Sequence, residues 1–178
     1  MRIPRIVVAL LCAALTVGAG AASAELGVKE VQWQIPAPAK GGRKTFQSLE
    51  KWVQAPTARP GVKPRALVTL VNRGPKPAEG LVLCYAVAAR LVKIGEPQKE
   101  GVWTVPFWRE ERRVPWVNAN QTKDVPLDQM VLDIFLKRTF RAGYWPDALR
   151  IQVMVEPREG NGPLQGVTER VLPVASTP

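Results

Sequence analysis

Arg65-Ala66-Leu67-Val68-Thr69-Leu70-Val71-Asn72-Arg73-Gly74-Pro75 is the stretch on which the fold reading turns. Its alternation puts Ala66, Val68 and Leu70 on one face and Leu67, Thr69 and Val71 on the other, the period of a β-strand. The strand ends at Asn72-Arg73-Gly74-Pro75, because Asn and Gly tolerate positive φ and Pro cannot continue a ladder.

The same pattern extends in both directions. Gly80 to Val92 is apolar on both faces until Arg90, as a central strand would be, and a turn is expected around Gly95-Glu96-Pro97. Val102–Val117 reads as one or two strands, and Thr122–Leu127 as another after Asn118-Ala119-Asn120. Near the start, Val31, Trp33 and Ile35 alternate with Gln32 and Gln34, and Pro36-Ala37-Pro38 is expected to stop that strand. Leu149, Ile151, Val153 and Val155 alternate with Arg150, Gln152, Met154 and Glu156. A polar turn, Pro157–Pro163, then leads to a last strand over about Gly166–Val174. With 17 prolines in 178 residues, nearly twice the usual ~5%, the chain is punctuated between alternations and not within a tract. These features predict an all-β, antiparallel, Ig-like sandwich of seven to eight strands.

One segment departs from this period. Asp128–Gly143 predicts an inserted helix over about 128–142, with Asp128 as its N-cap and Gly143 just past its end. Gln129, Asp133, Lys137 and Arg141 form a polar stripe, Asp133 stands four residues before Lys137, and apolar residues cover most of the remainder. A mostly buried helix that plugs one end or edge of the sheets is expected, in preference to an amphipathic surface for a partner or membrane.

Residues 1–24 have the three parts of a secretory signal. Arg2 and Arg5 supply the positive start, Ile6–Val17 the apolar stretch, and Ala22-Ser23-Ala24 the small residues before a cut at Glu25. The apolar run is too short for the ~20 residues that cross a bilayer. The expected product is an exported periplasmic or extracellular bacterial protein, without a transmembrane segment after cleavage. Residues 25–64 read as an N-terminal strand and a connecting segment packed on the domain, and 65–178 as the sandwich. Within the connecting segment, Leu49, Trp52 and Val53 stand at helical spacing from Phe46.

Composition narrows the chemistry. The chain has no His, which excludes Ser-His-Asp and Cys-His catalysis and imidazole metal ligation. Two Cys are too few for a four-thiolate zinc or iron–sulfur site, and no cofactor is expected. Cys84, which remains after signal cleavage, sits in the apolar run Leu81–Val87 and reads as a small buried hydrophobe. Glu110 and Glu111 are adjacent, so a strand sends them to opposite faces, and pairing with Arg109, Arg112 or Arg113 is expected. Asn120-Gln121-Thr122 fits the glycosylation sequon but reads better as a turn.

The stretch Ala66–Val155 resembles the bacterial Ig-like modules known as CARDB, cell-adhesion-related domains. The resemblance is carried by the strand ending Val71-Asn72-Arg73-Gly74, the long apolar strand from Gly80, Val125-Pro126-Leu127 and the alternating Leu149–Val155. It implies a non-catalytic extracytoplasmic binding or spacer module, with no catalytic residues to carry over.

The densest unusual segment is Trp103–Trp116, where Trp103, Phe107, Trp108 and Trp116 stand among arginines. Exposed indole offers a plate for a sugar face, and Arg binds carboxylate or phosphate bidentately. Trp108, Arg109, Arg112, Arg113 and Trp116 are therefore the candidate ligand-binding residues. Trp103, Phe107 and Trp116 are the alternative core fillers, and Trp108 is the best candidate for exposure. The net charge of +10, with Lys40, Arg43, Lys44, Lys51, Arg59, Lys63 and Arg65 along the lead-in, favours anionic surfaces by steering. The expected partner is an envelope protein or an anionic polymer or glycan; export argues against nucleic acid. The alternatives are an assembly accessory that offers an exposed strand edge and a small carboxylate hydrolase. The first requires a long edge free of Pro and inward charge, the second two facing carboxylates.

Overall fold

In the computed structural model, the described residues are 26–37, 45–57, 61–96, 101–127, 132–156 and 166–176. In chain order they form β1 (Leu26–Ala37), β2 (Thr45–Ser48), β3 (Trp52–Val53), β4 (Arg65–Asn72), β5 (Ala78–Lys93) and β6 (Val102–Trp103). These are followed by β7 (Trp108–Val117), β8 (Gln121–Leu127), α1 (Leu132–Arg141), β9 (Tyr144–Glu156) and β10 (Thr168–Ala175). Seven of the strands are long, as the alternation predicts, and β2, β3 and β6 are short additions. The expected signal at 1–24, the Asp128 cap and the Pro157–Pro163 turn lie outside the described residues.

The strands make an all-β sandwich with one inserted helix. One sheet has the order β2-β1-β4-β8, and the other β3-β10-β9-β5 with β6 and β7 both along the far side of β5. Every pairing is antiparallel except β3 with β10. Alternation places the core as expected. Ala66, Val68 and Leu70 of β4 face Leu81, Leu83, Tyr85 and Val87 of β5 and the Leu149–Val155 face of β9, all buried. Removing each such side chain from water is worth about 1.5–3 kcal/mol, so one face of β4 and β5 supplies much of the stability.

Two local expectations are corrected, and one segment whose local form the residues left open is defined first. The Phe46–Val53 patch is not helical: β2 pairs with β1 in one sheet and β3 with β10 in the other, so the segment crosses between sheets. Trp52 is buried there, which a short crossing segment achieves only by inserting its ring into the core. The first correction is that β1 runs through Pro36 to Ala37. Beyond the Gln34–Arg65 pair β1 has only β2 beside it, so the missing Pro36 N–H leaves no bond to β4 unmade. The second is that α1 is less buried than a plug would be. Among its described residues only Leu132 and Leu136 are buried, whereas Ile134 is 53% exposed. The helix packs mainly on β9, so a single stripe finds cover, and Phe135 stacks on Phe107 at 3.9 Å between centroids. Asp133 bonds Lys63 in place of Lys137, which ties the helix to the segment before β4. Gly143, with φ +80°, ends the helix as its position predicts.

The turn after β4 is made by a side chain, not by a left-handed backbone. Asn72 is buried; its Nδ2 donates to the carbonyls of Lys76 (2.8 Å) and Val117 (3.0 Å), and its Oδ1 accepts from Gly74 N at 2.9 Å. Asn72 thus joins the end of β4 in one sheet to the end of β7 in the other. Replacing Asn72 with Ala strands three backbone groups, and a loss of about 2–4 kcal/mol is expected in equilibrium urea unfolding. Asn72→Asp keeps the Gly74 bond but cannot donate, so its loss should be comparable.

Candidate functional site

Side-chain length shapes the outer face of the second sheet. The outward residues of the central strand β5 are small: Val82, Cys84, Ala86 and Ala88. Their cross-strand neighbours are longer, with Arg113, Glu111 and Arg109 on β7 and Glu156, Met154, Gln152 and Arg150 on β9. Short residues between two taller rows leave a trough along β5. Its volume is about 700 Å³, lined by Cys84, Ala86, Arg109, Glu111, Gln152 and Met154, with Pro106 and Val167 also contributing. Toward one end, Trp103 lies flat beneath two cations, with the guanidinium of Arg150 4.4 Å and that of Arg90 5.9 Å from its ring centroid.

Partnering differs among the cations. Arg90 Nε donates to Asp147 at 2.8 Å, and Arg150 lies 3.9 Å from Glu169. Arg109 and Arg113 make no hydrogen bond or ion pair among the described residues, so their charge is available to a ligand on this face. Glu111 shares the face as the cross-strand neighbour of Cys84.

The strand divides the candidate residues between its two sides. Arg109 and Arg113 point outward to the trough side, whereas Trp108 and Arg112 stand opposite the inward residues Val87 and Leu83. Trp108, expected as the exposed plate, is half-buried and packs against the core. Trp116 is the exposed indole, at 53%. Val114 and Val117 are the buried residues there, an interval of three that breaks the alternation beside Pro115 and opposite Gly80, whose φ is +66°. Lys123 holds the Trp116 end, with its Nζ 4.8 Å from the ring and donating to the Trp116 carbonyl at 2.8 Å. Trp103 and Phe107 are only half-buried, the first on the outer face and the second against α1. Cys84 is likewise half-buried on the outer face and not in the core.

Glu110 and Glu111 occupy opposite faces, opposite Tyr85 and Cys84 respectively. Among the described residues neither forms the expected ion pair with Arg109, Arg112 or Arg113. Glu110 Oε2 instead accepts the Tyr85 hydroxyl at 2.5 Å. Burial is the main cause that raises the Tyr85 pKa to about 12; the bond to Glu110 adds to it, and a hydrogen bond from Trp108 opposes it. Arg112 reaches across the sandwich, its Nη1 donating to the Pro126 carbonyl of β8. Among the described residues β7 therefore has a free edge, but Pro115 and the inward-pointing Glu110 and Arg112 guard it against strand addition. The edge of β8 is short and contains Pro126, and β2, β3 and β6 are shorter still.

Among the described residues, two of the lead-in cations already have partners within the domain. Lys63 bonds Asp133, and Arg65 donates to Gln34 Oε1 at 3.1 and 2.9 Å while lying over the Phe46 ring; Lys40, Arg43, Lys44 and Arg59 are outside the described residues. No family model matches this chain, and no curated protein matches it. Among the described residues no helix is long and apolar enough to cross a membrane.

The folded pKa of Tyr85 lies above the ordinary 10.0, so the stability it contributes is present below pH 10 and is lost as pH rises through about 12. In an absorbance titration of phenolate, a step near pH 12 should disappear in Tyr85→Phe.

Proposed function

We propose that the chain is a non-catalytic, extracytoplasmic Ig-like binding module of the bacterial envelope. Its partner is an anionic polymer, or an acidic segment of an envelope protein, held along the outer face of the second sheet. The observation that carries this reading is the pair Arg109 and Arg113, uncommitted among the described residues, beside a trough with a small, soft floor. An extended anionic chain fits such a trough: the guanidinium groups take its acids bidentately, and the short side chains let its backbone approach. The two-sheet, largely antiparallel architecture supports kinship with the CARDB modules that the strand pattern resembles. The separation of Glu110 from Glu111 by the sheet itself favours binding over carboxylate hydrolysis. The guarded edges of β7 and β8 favour it over strand donation to a client.

Polyglutamate binding, followed by calorimetry, tests the site. Affinity should fall steeply as salt shortens the Debye length from roughly 30 Å to roughly 3 Å. Arg109→Glu with Arg113→Glu should weaken it at least about tenfold through lost steering and contact. Binding that ignores both salt and these substitutions would refute the proposed site. For the export reading, chain recovered from the extracytoplasmic fraction should begin at Glu25 by intact mass; a retained Met1 would contradict it.

A further inference from the structure

Helix α1 carries a second cationic surface, away from the trough. Its residues Ile134, Lys137, Arg138 and Arg141 recur at intervals of three and four, so they share one stripe. That stripe is the side turned away from Leu132 and Leu136, the buried residues of the helix. Ile134 is 53% exposed, and the three cations are exposed and make no ion pair or hydrogen bond among the described residues.

Apolar groups adjoin the stripe. Just beyond the helix end, Tyr144 is 43% exposed, and Ile94, exposed at 38%, is brought alongside by its N–H bond to the Gly143 carbonyl at 2.9 Å. Among the described residues, Asp133 is committed to Lys63, and Glu96 to Lys93 at 2.5 Å. The surface thus combines three cations, unpaired among the described residues, with two aliphatic groups and an aromatic one. A soluble polyanion has no use for Ile134 and Ile94. A bilayer surface uses both kinds of group, because its phosphates meet the cations while small apolar side chains and a tyrosine ring enter the headgroup layer.

We propose that the α1 end of the sandwich docks on an anionic membrane surface, with Lys137, Arg138 and Arg141 on lipid phosphates and Ile134, Ile94 and Tyr144 at the headgroup boundary. Contact is peripheral, since no residue of the stripe inserts deeply. It leaves the outer face of the second sheet free for its own ligand.

Vesicle co-sedimentation of the chain as isolated from its host tests this directly. The readout is the difference between vesicles of phosphatidylcholine alone and vesicles that also contain phosphatidylglycerol, compared between wild type and variants, so a retained leader with Arg2 and Arg5 contributes equally to both and cancels. Wild type should prefer the anionic vesicles. Replacing Lys137, Arg138 and Arg141 together with Gln should reduce that preference by roughly a hundredfold, about fivefold per cation. Ile134→Ser should weaken it less, and Arg109→Gln should leave it unchanged. All the substituted positions on α1 are exposed, and an unaltered thermal transition certifies the fold of each variant. Equal binding to both vesicle types, or anionic preference that survives the triple substitution, would overturn the proposal. So would polyglutamate binding that depends on these residues without any binding to vesicles, which would assign the surface to a soluble polymer. Loss through Arg109 but not through α1 would leave the trough reading standing and remove this one.

Discussion

Everything else in the sandwich depends on β5. It is paired on one side with β9 over most of its length and on the other with β7 and then β6, so one strand fixes the register of three neighbours. Its two faces have different tasks. The inward face supplies Leu81, Leu83, Tyr85 and Val87 to the core, while the outward face is kept small. A one-residue slip would exchange those faces, burying Cys84 and Ala86 and exposing the leucines. The cost of exposing several core side chains, at about 1.5–3 kcal/mol each, keeps the small residues on the outside. The trough is therefore a by-product of register, maintained by the core and not by contacts of its own.

The strands were legible because burial on one face writes period two directly into the residues, as in β4 and β9, while β5, apolar on both faces, was legible as a central strand from its unbroken run between turns. Short strands were not. The Phe46–Val53 patch has too few residues for a period to declare itself, and its conformation is set by pairing with β1 and with β10, partners remote in sequence. The helix was legible as a helix, but its degree of burial was not, because that depends on how much of the β9 surface remains for it to cover.

The candidate site was legible in part. The basic-aromatic segment, read within one or two strands, divides between β6 and β7, and adjacent glutamates diverge as strand geometry requires. Which indole faces solvent was out of reach, since the alternation of β7 breaks between Val114 and Val117, beside Pro115 and opposite a glycine of positive φ. The trough residues Cys84, Ala86, Gln152 and Met154 were missed because each is unremarkable alone. The signal was present in the pattern of size: a run of small side chains on the second face of a central strand, which marks a place where something else is allowed to approach.

The crossing of β2 and β3 has a mechanical consequence. Because the lead-in hydrogen-bonds to β1 in one layer and to β10 in the other, it laces the layers together at their shared margin, while Asn72 rivets them at the end of β4. Tension applied to the amino-terminal side would load β1 and its sheet first, and the crossing passes the pull to β10 of the other layer through β2 and β3. The second layer is thereby shielded from such a pull until the first has opened, so the trough on its outer face outlasts the loss of β1.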